Sequence, residues 1–242
     1  MDITLALGGG GAKGIAHIGV IRRLENEGFR IRAIAGTSAG GLIGAVYAAG
    51  YSTQAIEEIL SELDQNHMFR RTNQDGPSLL GLAGITQLLV NVLGDRTFDS
   101  LHIPFSCTAV DTLTSQEIIL SQGCVVDAVL ATIAVPGIFP PRHYKDTILV
   151  DGGVMDPVPV ALARRSFPNL PVFAVVLSPP PEKWRDLPSA SLPLQNPLVD
   201  QFSKLRLAQA FHIFMQSVDI SGRMMAELRL QVDQPDLIIR PN

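Results

Sequence analysis

A chain of 242 residues with 46% apolar and 17% charged side chains can bury a sizeable core in one α/β domain, which excludes a disordered chain. Its net charge of −4 lends no support to nucleic acid as a partner or to electrostatic attachment to anionic lipid. Any membrane-surface contact is therefore expected to be local and hydrophobic.

Two cysteines, Cys107 and Cys124, make neither a disulfide framework nor a metal site, and Cys107 reads as core. The five histidines show no metal-ligand spacing. The start Met1–Leu5 lacks a basic region followed by a long apolar run, and nothing approaches the roughly 18 unbroken apolar residues of a membrane span. A cytoplasmic protein, at most peripheral to a membrane, is the expectation.

In chain order, Ile3–Leu7 is a nearly continuous apolar run, as expected of a parallel strand covered on both faces. Ile15, Ile18, Ile21 and Leu24 then mark one face of a helix that Gly28 can cap. Ile31–Ala35 is a second strand, and Ala39–Ala49 a helix of small residues ending at Gly50. Ser52 or Thr53 can cap the next helix, with Ile56, Ile59, Leu60 and Leu63 on its apolar face. Residues 66–78, with His67, Arg70 and Arg71, read as a loop; Leu79–Leu93, interrupted by Gly81 and Gly84, reads as short helices. Residues 66–93 together are the expected entrance to a site, the leucines serving as core or as cover over it.

Ile103–Val110 and Glu117–Leu120 flank a tight connection at Asp111–Ser115. Val125–Ala134 is helical, Thr147–Val150 is a strand that delivers Asp151, and Pro171–Leu177 is another buried strand. A proline-rich connection over 178–197 precedes an amphipathic helical stretch from Val199 to about Val232, with a break expected at Ser221-Gly222. Asp236–Ile239 is a terminal strand. The alternation predicts one α/β domain, residues 1–242, with a largely parallel sheet flanked by helices.

Chemistry concentrates at three glycine-framed turns. In Gly36-Thr37-Ser38-Ala39-Gly40 a hydroxyl stands between glycines where a strand passes into a helix, a turn that can hold a serine nucleophile above a sheet. Gly8–Gly14 offers clustered backbone N–H groups for a developing oxyanion. Its Gly9-x-Gly11-x-x-Gly14 spacing also fits a dinucleotide fingerprint, but the second strand ends in Gly36-Thr37-Ser38 where that fingerprint wants a carboxylate. Asp151 in Asp151-Gly152-Gly153 follows a strand, where a partly buried carboxylate can act as base. Each also has a plain reading: a tight turn for the serine motif, a turn-forming Asp-Gly for the third. His212 alone follows Asp151, and it reads as packing or surface, as His17 reads as packing or a cap.

Taken in this order, the three turns resemble those of the patatin-like phospholipase family. Ala16–Val20, Gly94–Phe98, Ala134–Pro141 and the ending Asp236–Pro241 add to the likeness and look like the compact bacterial members, similar to the catalytic domain of neuropathy target esterases. The resemblance implies a three-layer patatin-like fold and a Ser–Asp dyad, Ser38 as nucleophile and Asp151 as base. N–H groups of Gly9, Gly10 and Gly11 would form the oxyanion hole, with Gly14, Gly36, Gly40, Gly152 and Gly153 supporting the motifs. It further implies fatty-acyl ester or lipid substrates, an acyl-enzyme intermediate, and neither metal nor cofactor. The chain departs from the family pattern at Leu7-Gly8, where many members carry an acidic residue, and at Ala131-Thr132-Ile133, where many have Ala-Ser. The competing expectation is an acyl-chain-binding or regulatory module on the same fold; acyl transfer to another alcohol is a third.

Overall fold

The computed structural model describes residues 1–62, 68–73, 75–76, 78–144, 146–186 and 206–241. Its strands are β1 (Asp2–Leu7), β2 (Arg30–Gly36), β3 (Phe105–Asp111), β4 (Gln116–Leu120), β5 (Arg142–Tyr144), β6 (Thr147–Asp151), β7 (Val172–Val175) and β8 (Leu237–Ile239). The helices that matter below are α1 (Ala16–Asn26), α2 (Ala39–Ala48), α3 (Thr53–Ser61), α4 (Ala83–Leu93), α5 (Val125–Thr132), α6 (Val160–Ser166) and α7 (Arg206–Asp233). All eight strands form one sheet, ordered β5-β6-β3-β2-β1-β7-β8, with β4 also paired to β3.

Strand periodicity builds the layers. Alternate residues of a strand face opposite sides of its sheet. Ile3, Leu5 and Leu7 of β1, with Phe173 and Val175 of β7, enter the larger core beneath α1, α2, α3, α4 and α5. Ala6, Val172 and Ala174 face the other way, against Val160 and Leu162 of α6 and Ala226 and Leu230 of α7. Each fully buried Ile or Leu contributes about 1.5–3 kcal/mol, so helices cover both faces and the sheet is the middle layer.

The sheet is parallel from β3 through β2, β1 and β7 to β8. At its other end β4 and β6 run antiparallel to β3, and β5 antiparallel to β6. Cys107 pairs with both Gly36 and Leu120, while Ala109 pairs with both Ile118 and Asp151. Since a strand has two edges, β4 lines one, and β2 and β6 share the other end to end. Gly36 is level with Cys107, so Ser38, two residues on, arrives where Asp151 meets Ala109. Two strands running toward each other along one edge thus bring the serine and the carboxylate face to face.

Several local expectations shift. The segment from Gly11 to Ile15 is a 3-10 turn that precedes α1, and Ile15 is 60% exposed rather than on the buried face. Residues 83–93 form one helix instead of several, with Leu89 and Leu93 buried as core and Gly81 lying outside it. Helix α7 runs unbroken through Ser221-Gly222. Ser52, not Thr53, caps α3, its Oγ accepting from the Ala55 N–H at 3.2 Å. Leu63, His67, residues 187–197 of the expected connection and residues 199–205 of the expected helical stretch lie outside the described residues. Cys107 is fully buried, and burial pushes its thiol pKa far up, so it stays a thiol.

Candidate active site

The first turn and the serine turn are neighbours because β1 and β2 are parallel and in register, Leu7 opposite Gly36. The Thr37 N–H donates to the Leu7 carbonyl at 3.0 Å, closing the two strand ends together. Gly40, in the first turn of α2, lies so close to the Leu7 carbonyl that a Cβ there would overlap it. Gly36 packs against the backbone of Gly41, and Gly14 against Ala39. The small residues of the motif are therefore packing requirements of the β1–β2–α2 corner.

Ser38 itself has φ 54° and ψ −125°, the geometry of the first central residue of a type II′ turn, where glycine is usual. A non-glycine residue held there costs of order 1–3 kcal/mol. Surrounding bonds hold it. The Ser38 N–H donates to the Thr132 hydroxyl at 3.0 Å, and the Thr37 hydroxyl donates to the Asp156 carbonyl at 2.8 Å while contacting the Thr108 hydroxyl at 3.0 Å. Thr132 is the residue at which the sequence departs from the Ala-Ser pattern, and it supplies a hydroxyl that serine would also supply.

Asp151 is 4% exposed, its carboxylate accepts a hydrogen bond from the Gly153 N–H at 2.7 Å, and the Ser38 hydroxyl lies near enough to lower its pKa. Burial raises its pKa to about 6, and the Ser38 hydroxyl and the Gly153 N–H oppose that rise. The group is mostly ionised at neutral pH yet holds a proton more readily than an ordinary aspartate. Gly152 sits against Thr108, where any Cβ would strike the threonine side chain. Asp151 ends its strand as expected, but β6 runs antiparallel to both its neighbours, and its head-on meeting with β2 delivers the residue.

The glycine loop lies over the serine: a Cβ on Gly9 would come 3.2 Å from the Ser38 Cβ. Its N–H groups are not equivalent. The Gly8 N–H donates to the Val175 carbonyl and the Gly9 N–H to the Pro157 carbonyl, both at 2.9 Å. The Gly10 and Gly11 N–H groups have no protein acceptor among the described residues. Gly11 adopts φ +56°, which only glycine takes without strain. Beneath the loop His17 is wholly buried, and its Nε2 lies 2.7 Å from the Gly8 carbonyl oxygen. Burial lowers the pKa of His17 to about 4, so the ring is neutral and Nε2 carries the proton it donates to Gly8.

His212 is exposed on α7. No group of carboxylates, cysteines and histidines among the described residues could hold a metal ion, and no described helix is long and apolar enough to cross a membrane. Sequence reasoning singled out Ser38, Asp151 and the glycines; it missed Thr132, Asp156 and Pro157 as their supports. The Asp156-Pro157 dipeptide that follows the Asp151 turn was the available signal for the last two.

Known proteins bear on this arrangement in three ways. The family profile for patatin-like phospholipases matches residues 5–164. An NTE family protein of Mycobacterium tuberculosis strain H37Rv is 35% identical over 161 residues, covering 66% of this chain and 44% of that protein. The lysophospholipase NTE1 of Saccharomyces cerevisiae is 30% identical over 167 residues, covering 67% of this chain and 10% of that one. The chain thus spans less than half the length of these curated relatives. Among solved structures, VipD from Legionella pneumophila superposes with a TM-score of 0.51 at 15% identity, covering 72% of this chain and 49% of that one, a likeness of fold. With its three turns, their order and more than half its length accounted for, the chain belongs to the patatin-like phospholipase family.

Proposed function

We propose that this protein is a serine hydrolase of fatty-acyl esters, of the phospholipase, lysophospholipase or carboxylesterase kind, working through a Ser38–Asp151 dyad. The observation that carries the reading is the head-on meeting of β2 and β6 along one edge of β3, which sets Ser38 beside a buried carboxylate whose pKa burial raises to about 6. Serine needs such a base to become a nucleophile.

Ser38 Oγ attacks the ester carbonyl carbon while its proton passes to Asp151. The resulting oxyanion is received by the Gly10 and Gly11 N–H groups, with the N-terminus of α2 behind it. Collapse breaks the ester C–O bond, and Asp151 returns the proton to the departing alcohol. Water then gives a proton to Asp151 as it attacks the acyl-enzyme, and the proton returns to Ser38 Oγ when the acid leaves. The residues alone account for every proton.

An apolar substrate is favoured by what surrounds the turns. Ile15, directly after the glycine loop, is 60% exposed, and Val154, just after the Asp151 turn, is 47% exposed. Leu79, also exposed, is held through its N–H to the Gly137 carbonyl, in the segment whose Ala134 carbonyl accepts the Asp151 N–H. These side chains suit acyl chains, or brief contact with a lipid surface, at the entrance. The relative named a lysophospholipase points the same way.

Hydrolysis of p-nitrophenyl esters of graded chain length, with a fluorophosphonate probe as active-site label, tests this. Wild type should turn over and label at Ser38, Ser38→Ala should do neither while keeping its fold, and Asp151→Asn should label far more slowly. Equal rates for wild type and Ser38→Ala would reject the assignment.

A further inference from the structure

The segment from Gly152 to Pro157 touches every part of the candidate machinery. Its first residue follows Asp151, whose carboxylate accepts from the Gly153 N–H at 2.7 Å. Its Asp156 carbonyl holds the Thr37 hydroxyl at 2.8 Å, and its Pro157 carbonyl holds the Gly9 N–H at 2.9 Å. Internally it is a single tight turn, with the Met155 and Asp156 N–H groups both donating to the Gly152 carbonyl.

From outside, one side chain reaches this segment across 70 and more positions of sequence. Arg229, in the last turns of α7, donates from Nε to the Met155 carbonyl at 3.3 Å and lies 3.5 Å from Asp156 Oδ1. Its Nη2 donates to Glu117 Oε2 of β4 at 3.2 Å, and its Nη1 is 4.0 Å from Asp233 Oδ2. The Asp156 side chain is only 2% exposed, and its Oδ1 has no hydrogen-bond partner. A buried carboxylate so placed depends on its counter-charge. Ala226 and Leu230, flanking Arg229 on α7, are buried against the sheet and fix where the arginine stands.

We propose that Arg229 is a positioning residue for the reaction, holding the Gly152–Pro157 turn from α7 and through it setting Asp151, Thr37 and Gly9 in mutual register. The assignment rests on the hydrolase reading above. A planar guanidinium meets a carbonyl and carboxylates on several sides at once, which an ammonium does not. Loss of the arginine frees the turn to shift, and a displacement near 1 Å at reacting groups costs about 100-fold.

The test is steady-state hydrolysis of p-nitrophenyl butyrate by wild type, Arg229→Ala and Arg229→Lys, with circular dichroism melting of each. The expected result for Arg229→Ala is a kcat about 10- to 100-fold lower with KM nearly unchanged, partly restored by added methylguanidinium. An arginine that merely packs would give a lower melting temperature, wild-type kcat below it and no rescue, and that result overturns the proposal. If Arg229→Ala does not fold, Arg229→Lys decides: a folded variant with reduced kcat supports the assignment, and wild-type kcat refutes it. Wild type that neither hydrolyses esters nor takes the fluorophosphonate label would instead sink the hydrolase reading, and this assignment with it.

Discussion

The N–H of Ser38 is held by the hydroxyl of Thr132, 3.0 Å away and 94 residues further along the chain. This bond fixes the peptide preceding the candidate nucleophile, from the C-terminal turn of the helix α5 that packs beside α2. Thr132→Val keeps the shape and removes the acceptor, leaving a buried N–H unsatisfied at a cost of about 1–3 kcal/mol. Thr132→Ser keeps the acceptor. Denaturant titration should find the valine variant less stable by that amount and the serine variant close to wild type. Ester hydrolysis should follow the same order, with kcat falling in the valine variant.

If the proposed dyad holds, Asp151 sets the pH behaviour. Its pKa near 6 lies above the ordinary 3.8, and a general base works only when ionised. The rate at low substrate should therefore rise with pH through about 6 and level off above it. Stability runs the other way. A carboxyl group whose folded pKa is raised binds its proton more tightly in the native state, so the fold loses stability as pH rises from about 4 to about 6. Asp151→Asn escapes that loss while its side-chain oxygen can still accept from Gly153. At about pH 8 the variant should exceed wild type by up to roughly 3 kcal/mol, taking about 1.4 kcal/mol per pH unit. The advantage should vanish near pH 4, and melting curves at both pH values decide it.

Strain at Ser38 makes a separate prediction. Ser38→Ala and Ser38→Gly both remove the hydroxyl, but only glycine relieves the left-handed φ of 54°. Relief of about 1–3 kcal/mol outweighs the roughly 0.5–1 kcal/mol entropic cost of a new glycine. Both variants should be inactive, and the glycine variant should melt about 2–4 °C above the alanine variant for each kcal/mol gained. A lower melting temperature for the glycine variant would show that the turn is not strained.

The contrast between legible and illegible parts has physical causes. Ser38, Asp151 and the glycines could be read because tight turns impose local residue requirements, and both faces of β1 could be inferred from its unbroken apolar run. The direction of β6 could not, since a five-residue strand has the same alternation whether parallel or antiparallel. Helix α7 crosses Gly222 because the glycine's penalty of about 1 kcal/mol is spread over a helix of 28 residues, anchored by Ala226 and Leu230. Arg229 and Glu117 look like ordinary surface charges until folding brings them together. Nor does the glycine pattern reveal that the Gly9 N–H is already committed to Pro157, because that acceptor lies 148 positions away in sequence and is set by tertiary pairing.

His17 offers the sharpest test of how the glycine loop is held. The peptide joining Gly8 to Gly9 is pinned at both ends, its carbonyl by His17 Nε2 at 2.7 Å and its N–H by the Pro157 carbonyl at 2.9 Å. With that plane fixed, the two following N–H groups are aimed without further cost, which is the preorganisation an oxyanion site needs. His17→Phe fills the buried space but cannot donate, so the Gly8 carbonyl loses its partner and the peptide can rotate. His17→Gln keeps a donor at similar reach. The phenylalanine variant should lose about tenfold or more in kcat, a fraction of the 100- to 1000-fold that deleting an oxyanion donor costs, while the glutamine variant retains most of it. A neutral histidine in the fold also protonates on unfolding below its ordinary pKa of 6.5, since its folded value is about 4. Wild type should therefore lose stability as pH falls from 6.5 toward 4, whereas the glutamine variant lacks this contribution to acid sensitivity. Parallel acid melts of the two proteins measure the difference, and identical slopes would mean that the ring is not buried as a neutral donor.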